Sequence, residues 1–573
     1  MKALKKLARV LMYLSRIVVG SVFVVSGLIK ANDALGFSYK LEEYFEPAAL
    51  GGFWTMFADY ALPLAILVCV AEVVLGLSLI FGTRYKLTVI KITGFLIFFG
   101  FLTYYTAQCD PHEMVTYVTT NAEGVEETVT TERQCVLDCG CFGDALKGSL
   151  GRSLEPIESF QKDMVLLILS IFLFFGWKTE KLNNERKDKI LITGSLIFTG
   201  VFGGLVFGWW MPVAFLAIAS ILYLLIKWFY VKKGRDWVII AMLIAMSSIF
   251  IWYTLTYLPV KDYRPYAVGN NIPELMKTSD DYKNEISEGM YASKLAGHQT
   301  EIQNQLNSVL NADSTYQDSA TSEMDKQDIK QYALEEIEYS FKEMYSAQID
   351  SLVYDSMKRA NLLPSIYYSL YYLQNKKTKE RDYFKSTDYM TDKMWVDWEF
   401  VYILVNEETG EEIEVLKSEY KEEAYPGYKK KTFKTETEYY GHEPKVLDFR
   451  FDDSDSLTNH ILHSENYVLL VVSWDLNLAK TKAYSKVNEL YNWSNEKGYS
   501  FVAATSKLDL ADSFIENNNL DFGFVSGDDK VLKTIVRSNP GVLLIKGGII
   551  YGKWDKNRIP TPEKMQKYIG KLK

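Results

Sequence analysis

Seven long apolar runs in the first 258 residues constrain most strongly how this 573-residue chain can fold. An α-helix needs about 20 apolar residues to cross a hydrocarbon core of about 30 Å, and each run is close to that length. The runs lie near residues 9–30, 57–82, 87–108, 160–177, 190–208, 211–230 and 237–258. The fifth and sixth runs are separated only by GWWMP, so a re-entrant hairpin is an alternative for this pair. The sequence therefore predicts a multi-pass α-helical membrane bundle of about seven spans.

Basic residues between the runs predict how the bundle is oriented. The segments MKALKKLAR, RYK, KTEKLNNERKDK and KKGR fall on one side if every run crosses the membrane. Lys and Arg accumulate on the cytoplasmic side of membrane proteins. We therefore expect a cytoplasmic N-terminus in a bacterial inner membrane. The loop 109–159 and all residues after 258 are then expected in the periplasm.

Four of the five cysteines lie in or at the mouth of this predicted outward loop: Cys109, Cys135, Cys139 and Cys141. Disulfides persist in an oxidising space, and four cysteines allow three complete pairings. Side chains at positions i and i+2 point apart, and a disulfide needs a limited Cα separation. We therefore expect Cys139 and Cys141 to bond separately to Cys109 and Cys135 rather than to each other.

Three interpretations of the loop cysteines stay open. Two structural disulfides would stabilise the loop, mainly by restricting the unfolded chain. Alternatively, a thiolate could attack a disulfide in an exchange reaction. A mixed site of three cysteines with His112 matches no zinc-binding spacing closely, so no metal is predicted.

Ionisable residues occur inside the first two apolar runs. Arg16 and Lys30 lie in the first run, and Glu72 lies in the second. A charged side chain facing lipid is costly, so we expect these three to face protein or water and to meet one another.

The pattern of these residues resembles the DoxX/MauE-like family of four-helix membrane proteins over residues 1–178. It consists of Arg16, SGLIK at the outer end of the first helix, and Glu72 followed by a glycine four residues later. The stretch CGCFGDALK before the fourth helix resembles the MauE-like branch in particular. The resemblance implies quinone-linked sulfur oxidation or maturation of disulfide-bearing periplasmic enzymes. For an exchange reaction with a membrane quinone, we assign Cys141 to the quinone side and Cys139 or Cys135 to the shuttle.

Three further spans, in residues 179–258, precede a polar outer region. Residues 259–445 are interpreted as a periplasmic linker that contains an amphipathic helical insert, 278–390, with Ser322 or Asp325 as its N-cap. The stretch WVDWEFVYILVNEETGEEIEVLKSEY alternates apolar and polar residues around a turn, which predicts a β-hairpin.

Residues 446–573 alternate strands and helices, which indicates an α/β or α+β domain. The order of elements resembles the thioredoxin fold, in its TlpA-like periplasmic branch. Pro540, preceded by Asn539, stands at the position of that family's cis-proline. The redox motif should begin at Trp474, but Asp475 and Leu478 occupy the two cysteine positions. Without a thiolate this domain is expected to lack dithiol exchange activity.

Two hypotheses of function follow. The first is a quinone-linked thiol oxidoreductase or disulfide-maturation factor, with the C-terminal domain as a redox-inactive module that binds periplasmic or envelope proteins. The second is a non-enzymatic scaffold with structural disulfides in a cell-envelope complex. The lipid bilayer is a partner in both. The net charge of −9 argues against nucleic acid as a partner.

Overall fold

A computed structural model describes most of the chain. The described residues are 2–109, 113–120, 126–136, 140, 142–143, 145–146, 154–178, 180, 182–229, 234–318, 322–406, 411–431, 434–439, 441–452 and 455–572. Cys139, Cys141 and His112 lie outside them.

The membrane half contains seven helices that are long and apolar enough to span a bilayer, as predicted. A shorter helix, α2, follows the first of them. In chain order the helices of this half are α1 (Lys2–Asn32), α2 (Ala34–Phe45), α3 (Ala61–Phe81), α4 (Tyr85–Ala107), α5 (Pro156–Leu173), α6 (Glu185–Thr199), α7 (Met211–Phe229) and α8 (Arg235–Thr256). A 3-10 helix, Gly52–Tyr60, leads into α3, and α6 continues as a π-helix, Gly200–Val206. Between α4 and α5, strands β1 (Met114–Thr120) and β2 (Glu126–Glu132) form an antiparallel hairpin.

Helices α1 and α3 approach so closely that glycine is required at their contact. A Cβ atom on Gly76 would lie 2.7 Å from the carbonyl oxygen of Gly20. A Cβ atom on Gly27 would lie 2.9 Å from the backbone nitrogen of Val73. Small residues at such a contact allow two membrane helices to pack backbone to backbone. The pair α1 and α3 therefore forms the centre of the bundle.

The half of the chain after the membrane helices begins with helices and continues with a sheet. Its first helices are α9 (Ile272–Met276), α10 (Ser279–Gly297), α11 (Gln299–Ala312), α12 (Ser314–Gln317) and α13 (Glu323–Arg359). The Ser322 hydroxyl accepts a hydrogen bond from the backbone N–H of Asp325, which makes Ser322 the N-cap of α13. Buried residues of α13 up to Phe341 pack on α11, and those from Ile349 onward pack on α10.

The predicted helical insert 278–390 is wrong in its last part, where the chain forms two strands. These are β3 (Ile366–Asn375) and β4 (Arg381–Lys385), followed by the short helix α14 (Ser386–Thr391). The segment IYYSLYYLQN is rich in aromatic side chains, which pack well across strands. The rings of Tyr372 and Tyr383 stack across the pair with centroids 4.6 Å apart.

The predicted hairpin is confirmed and belongs to a larger sheet. Strands β5 (Trp398–Asn406) and β6 (Glu412–Leu416) pair antiparallel, and β3 pairs with β5. Two more strands, β7 (Tyr428–Lys430) and β8 (Lys434–Tyr439), pair with β5 and β3. This six-stranded sheet could not be inferred from the single hairpin signal.

The C-terminal domain is a five-stranded mixed sheet with helices on both faces. Its strands are β9 (Val468–Val472), β10 (Ser500–Thr505), β11 (Val525–Ser526), β12 (Gly541–Lys546) and β13 (Ile549–Asp555). Its helices are α15 (Asp455–His463), α16 (Tyr484–Lys497), α17 (Ala511–Asn518), α18 (Asp529–Ile535) and α19 (Pro562–Lys571). The strand order is β11-β10-β9-β12-β13, in which β12 is antiparallel to β9. Alternate residues of β9 are buried under α15 and α18 on one face and under α16 and α19 on the other.

Three details of this domain differ from the sequence analysis. The strand expected in VLDFRF is only an isolated bridge from Phe451 to Gly527, because no second residue there pairs. The helix expected from about residue 477 begins at Tyr484, after an irregular segment and a short 3-10 turn. Helix α18 and strand β11 were not predicted, since both are too short for a periodic pattern.

The close contact of α1 and α3 gives a first prediction. Replacing Gly76 with Ala should lower the unfolding temperature of the purified membrane protein, because overpacking of a tight core costs about 1–3 kcal/mol. The matched control is Gly94→Ala in α4, where an added Cβ meets no described atom within 4 Å. Equal unfolding temperatures for the two variants would contradict the proposed backbone contact.

Candidate functional site

The cysteine loop is closed by a disulfide between Cys109 and Cys135. The expectation that each of these bonds to Cys139 or Cys141 is therefore wrong. The reason is the β1–β2 hairpin, which the sequence analysis did not identify. Its first and last residues, Met114 and Glu132, pair with each other, so the chain on either side of the hairpin is brought together. The two Cα atoms lie 5.8 Å apart, within the usual range for a disulfide.

The next residues of the loop border a cavity of about 400 Å³. Gly140, Phe142, Gly143 and Ala145 all contribute to its wall. Cys141 stands between Gly140 and Phe142 in the sequence, although it lies outside the described residues. The fifth cysteine, Cys69, is a buried free thiol in α3.

This cavity lies where the membrane bundle meets the C-terminal domain. The bundle contributes the C-terminal end of α1 and one face of α2, including Ile29, Lys30 and Phe37. The C-terminal domain contributes α18 and the residues after it, and the segment that follows α8 supplies residues 259 and 261–265. A cavity of this size between two domains is in the usual range for small-molecule sites.

Lys30 and Glu72 form a buried ion pair beside the cavity, as the sequence analysis expected. The Lys30 Nζ donates to Glu72 Oε1, and the Ser26 hydroxyl donates to Glu72 Oε2 at 3.1 Å. The rings of Phe37 and Phe99 surround the ammonium group, with Nζ 5.5 Å and 5.2 Å from their centroids. Each charge is therefore compensated within the protein rather than exposed to lipid.

Arg16 does not meet this pair, which corrects the expectation that all three groups meet. It is fully buried and donates hydrogen bonds to the carbonyl oxygens of Leu79 and Ile80, to Asn183 at 2.9 Å and to Glu180 at 3.1 Å. Arg16 and Lys30 are separated by about 21 Å along α1, at a rise of about 1.5 Å per residue. Glu180 and Asn183 were missed because they lie between spans, in a segment noticed only for its basic residues.

In the C-terminal domain, the predicted thioredoxin-like positions are brought together. The Asn539 side-chain amide donates to the Asp475 carbonyl oxygen at 2.6 Å, and the peptide bond between Asn539 and Pro540 is cis. The Leu478 side chain is largely exposed. The Trp474 ring packs edge-on against Tyr39 of α2, with centroids 6.4 Å apart. This face of the domain is thus in contact with the membrane half.

An ion pair joins the two halves at this contact. Arg537 Nε lies 3.0 Å from both carboxylate oxygens of Asp33, which also accepts the N-cap hydrogen bond of α2 from Gly36. Burial alone would raise the pKa of Asp33, but the guanidinium groups of Arg537 and Arg264 outweigh it and lower this pKa. Asp33 is therefore held as a charged carboxylate between the halves. A side chain on Gly36 would collide with both Asp33 and Arg537.

A second polar contact links the segment after α8 to the C-terminal sheet. Asp262 accepts hydrogen bonds from Arg264 Nε at 2.7 Å and from Lys553 Nζ at 2.8 Å. Burial alone would raise the pKa of Asp262, but these two cations lower it well below its usual range. Burial and the neighbouring Arg264 lower the pKa of Lys553 to about 7. Further along, Gly269 and Ile272 donate backbone hydrogen bonds to Ile550 and Gly548.

The ion pair beside the cavity gives a second prediction. Lys30→Met should destabilise the protein by about 3–5 kcal/mol, because Glu72 would be left as an unpaired buried charge. The double variant Lys30→Met/Glu72→Leu should recover most of the lost stability. Thermal unfolding in nanodiscs measures both effects, with Lys91→Met, an exposed lysine of α4, as the control. A double variant as unstable as the single one would show that the pair is not coupled.

Comparison with protein families gives one match. Residues 8–111 match the family model described as methylamine utilisation protein MauE. This segment contains helices α1 to α4 with Arg16, Lys30, Glu72 and Cys109. The chain matched no curated protein and no solved structure. The membrane half of this chain therefore carries a MauE-family domain at residues 8–111.

Proposed function

We propose that this protein is a membrane-embedded thiol–disulfide oxidoreductase or disulfide-maturation factor of the bacterial inner membrane. Its exchange cysteines are Cys139 and Cys141. The observation that carries the proposal is that Gly140 and Phe142, on either side of Cys141, line the cavity between the bundle and the C-terminal domain. The residues on either side of Cys141 thus border a space that is large enough for a substrate sulfur.

The loop cysteines have different roles in this proposed function. The Cys109–Cys135 disulfide closes the base of the hairpin and has a structural role. Cys139 and Cys141 are the two remaining cysteines of the loop. In the exchange, a disulfide held by these cysteines is cleaved to thiols while a substrate dithiol becomes a disulfide. Oxidation of the thiols then re-forms the protein's disulfide and releases two electrons and two protons. A membrane quinone is the proposed acceptor and is treated as the second substrate.

The proposed function assigns the chain to four segments. Residues 1–178 form the DoxX/MauE-like unit, and 179–258 add three spans. Residues 259–445 form a periplasmic linker with helical and β-structured parts, and 446–573 form a thioredoxin-like domain. The mixed sheet with helices on both faces supports the thioredoxin-like assignment. With Asp475 and Leu478 at the cysteine positions, this domain binds rather than exchanges.

The scaffold hypothesis is the second candidate, and one observation favours it. The Cys109–Cys135 disulfide joins the chain on the two sides of the β1–β2 hairpin, as a structural crosslink does. In this alternative the protein presents its outer domains to an envelope complex.

Alkylation and mass spectrometry of the purified protein separate the two candidates. If the proposal is correct, a bond of Cys139 or Cys141 should change occupancy when a reduced dithiol or an oxidised quinone is added. The Cys109–Cys135 bond should stay intact under both conditions. Dithiol-dependent quinone reduction should be lost in Cys141→Ser.

The double variant Cys109→Ser/Cys135→Ser is the matched control. It should lose stability but retain quinone reduction, because its disulfide only restricts the chain. Unchanged thiol occupancy and no dithiol-dependent quinone reduction in the wild type would favour the scaffold. Full activity in Cys141→Ser would contradict the proposed role of Cys141 in the exchange.

A further inference from the structure

Helix α2 covers one face of the C-terminal domain. That face is formed by Trp474, Lys533 and Arg537, and the ring of Tyr39 from α2 lies against all three. Lys533 Nζ is 4.9 Å and the Arg537 guanidinium carbon is 5.3 Å from the centroid of this ring. Trp474 contacts its edge, with ring centroids 6.4 Å apart. Tyr39 is thus held by two cations and one aromatic ring, a combination that recognises aromatic side chains strongly.

The two surfaces also have opposite charges. The cavity-lining face of α18 and the residues after it carries three cations and one carboxylate: Lys530, Lys533, Arg537 and Asp529. The facing side of α2, together with its N-cap and C-cap residues, carries four carboxylates and one cation: Asp33, Glu42, Glu43, Glu46 and Lys40. Asp33 pairs with Arg537 at one end of the contact. The charge pattern therefore matches an acidic segment to a basic face.

Hydrogen bonding at the contact between α2 and the C-terminal domain is incomplete. Three polar atoms at or next to the contact are buried and have no hydrogen-bond partner among the described residues: the Tyr39 hydroxyl oxygen, Trp474 Nε1 and Asn539 Oδ1. Asn539 is almost fully buried, and its amide nitrogen is already used by Asp475. Leaving buried polar groups unpaired costs free energy, and most native structures avoid it. A ligand that pairs with Trp474 Nε1 and Asn539 Oδ1 would bind this face better than α2 does.

We propose that α2 is an internal ligand of the C-terminal domain and that the face it covers also binds an acidic, aromatic segment of another envelope protein. The partner's aromatic side chain takes the place of Tyr39, and its carboxylates take the places of Asp33 and Glu42. Binding of the partner releases the C-terminal domain from α2 and opens the cavity beneath it. The proposal rests on this interface alone and does not require exchange chemistry.

Competition between α2 and the partner makes the proposal measurable. A tethered segment competes at an effective concentration of about millimolar, so the wild-type chain should bind an added segment weakly. Weakening α2 within the chain should remove the competitor and raise the apparent affinity.

The probe is a fluorescein-labelled synthetic peptide with the sequence of residues 33–46, DALGFSYKLEEYFE. Fluorescence anisotropy measures its binding to the full-length protein in nanodiscs. The variant Asp33→Asn/Tyr39→Leu should bind the peptide at least about tenfold more tightly than the wild type. This change corresponds to about 1.4 kcal/mol of binding free energy that the intact α2 contact otherwise offsets. Asn keeps the N-cap oxygen of α2, so the helix itself is preserved.

Two sets of controls make the result specific. Asp59→Asn, the same substitution on an exposed residue outside the interface, should bind the peptide like the wild type. Adding Lys533→Gln/Arg537→Gln to the α2 variant should abolish binding, whereas adding Lys564→Gln on α19 should not. A peptide with leucine in place of Tyr39 should bind at least about tenfold more weakly.

Equal affinity of the wild type and the α2 variant would overturn the proposal, as would binding that survives Lys533→Gln/Arg537→Gln. If the double α2 variant does not fold, the single variant Tyr39→Leu provides the same comparison. An unchanged affinity in that variant counts against the proposal equally.

Discussion

Charged groups inside the membrane bundle must be compensated by the protein, and the arrangement of the helices depends on this requirement. Lys30 of α1 is paired with Glu72 of α3, and Arg16 is surrounded by acceptors from the end of α3 and from the segment before α6. Neither cation could remain buried without these partners, because an unpaired charge in a low-dielectric medium is very costly. The glycine contacts between α1 and α3 bring the two backbones close enough for these pairs to form. The close backbone packing and the buried polar contacts therefore both hold α1 against α3.

The two halves of the chain meet at the C-terminal end of α1. Asp33 ends that helix, caps α2 and pairs with Arg537, so one carboxylate takes part in local structure and in the contact between halves. The linking segment adds Asp262, which joins Arg264 and Lys553. The cavity beneath this contact is consequently bounded by residues far apart in the sequence.

Several differences between sequence and structure have a common physical cause. The pairing of Cys109 with Cys135 depends on a hairpin whose strands are polar and rich in threonine, so their alternation gives little signal of burial. The strand β3 was mistaken for helix because clusters of tyrosine suit either structure until cross-strand partners are known. Arg16 was grouped with Lys30 and Glu72 because all are charged residues in apolar runs, although distance along α1 separates them. In each case the missing information was a partner distant in the chain.

The sequence by itself determined the seven membrane helices, the burial of Arg16, Lys30 and Glu72, the hairpin of β5 and β6, and the absence of cysteine from the C-terminal half. These features follow from local composition, length and periodicity. An apolar run of about 20 residues crosses a bilayer as a helix, because only a helix or a closed barrel satisfies the backbone hydrogen bonds there. Only the tertiary structure decided which cysteines pair, which carboxylate meets which cation, and which face of the C-terminal domain is covered by α2. Those outcomes depend on the distances between side chains of separate elements, and such distances exist only after the chain has packed.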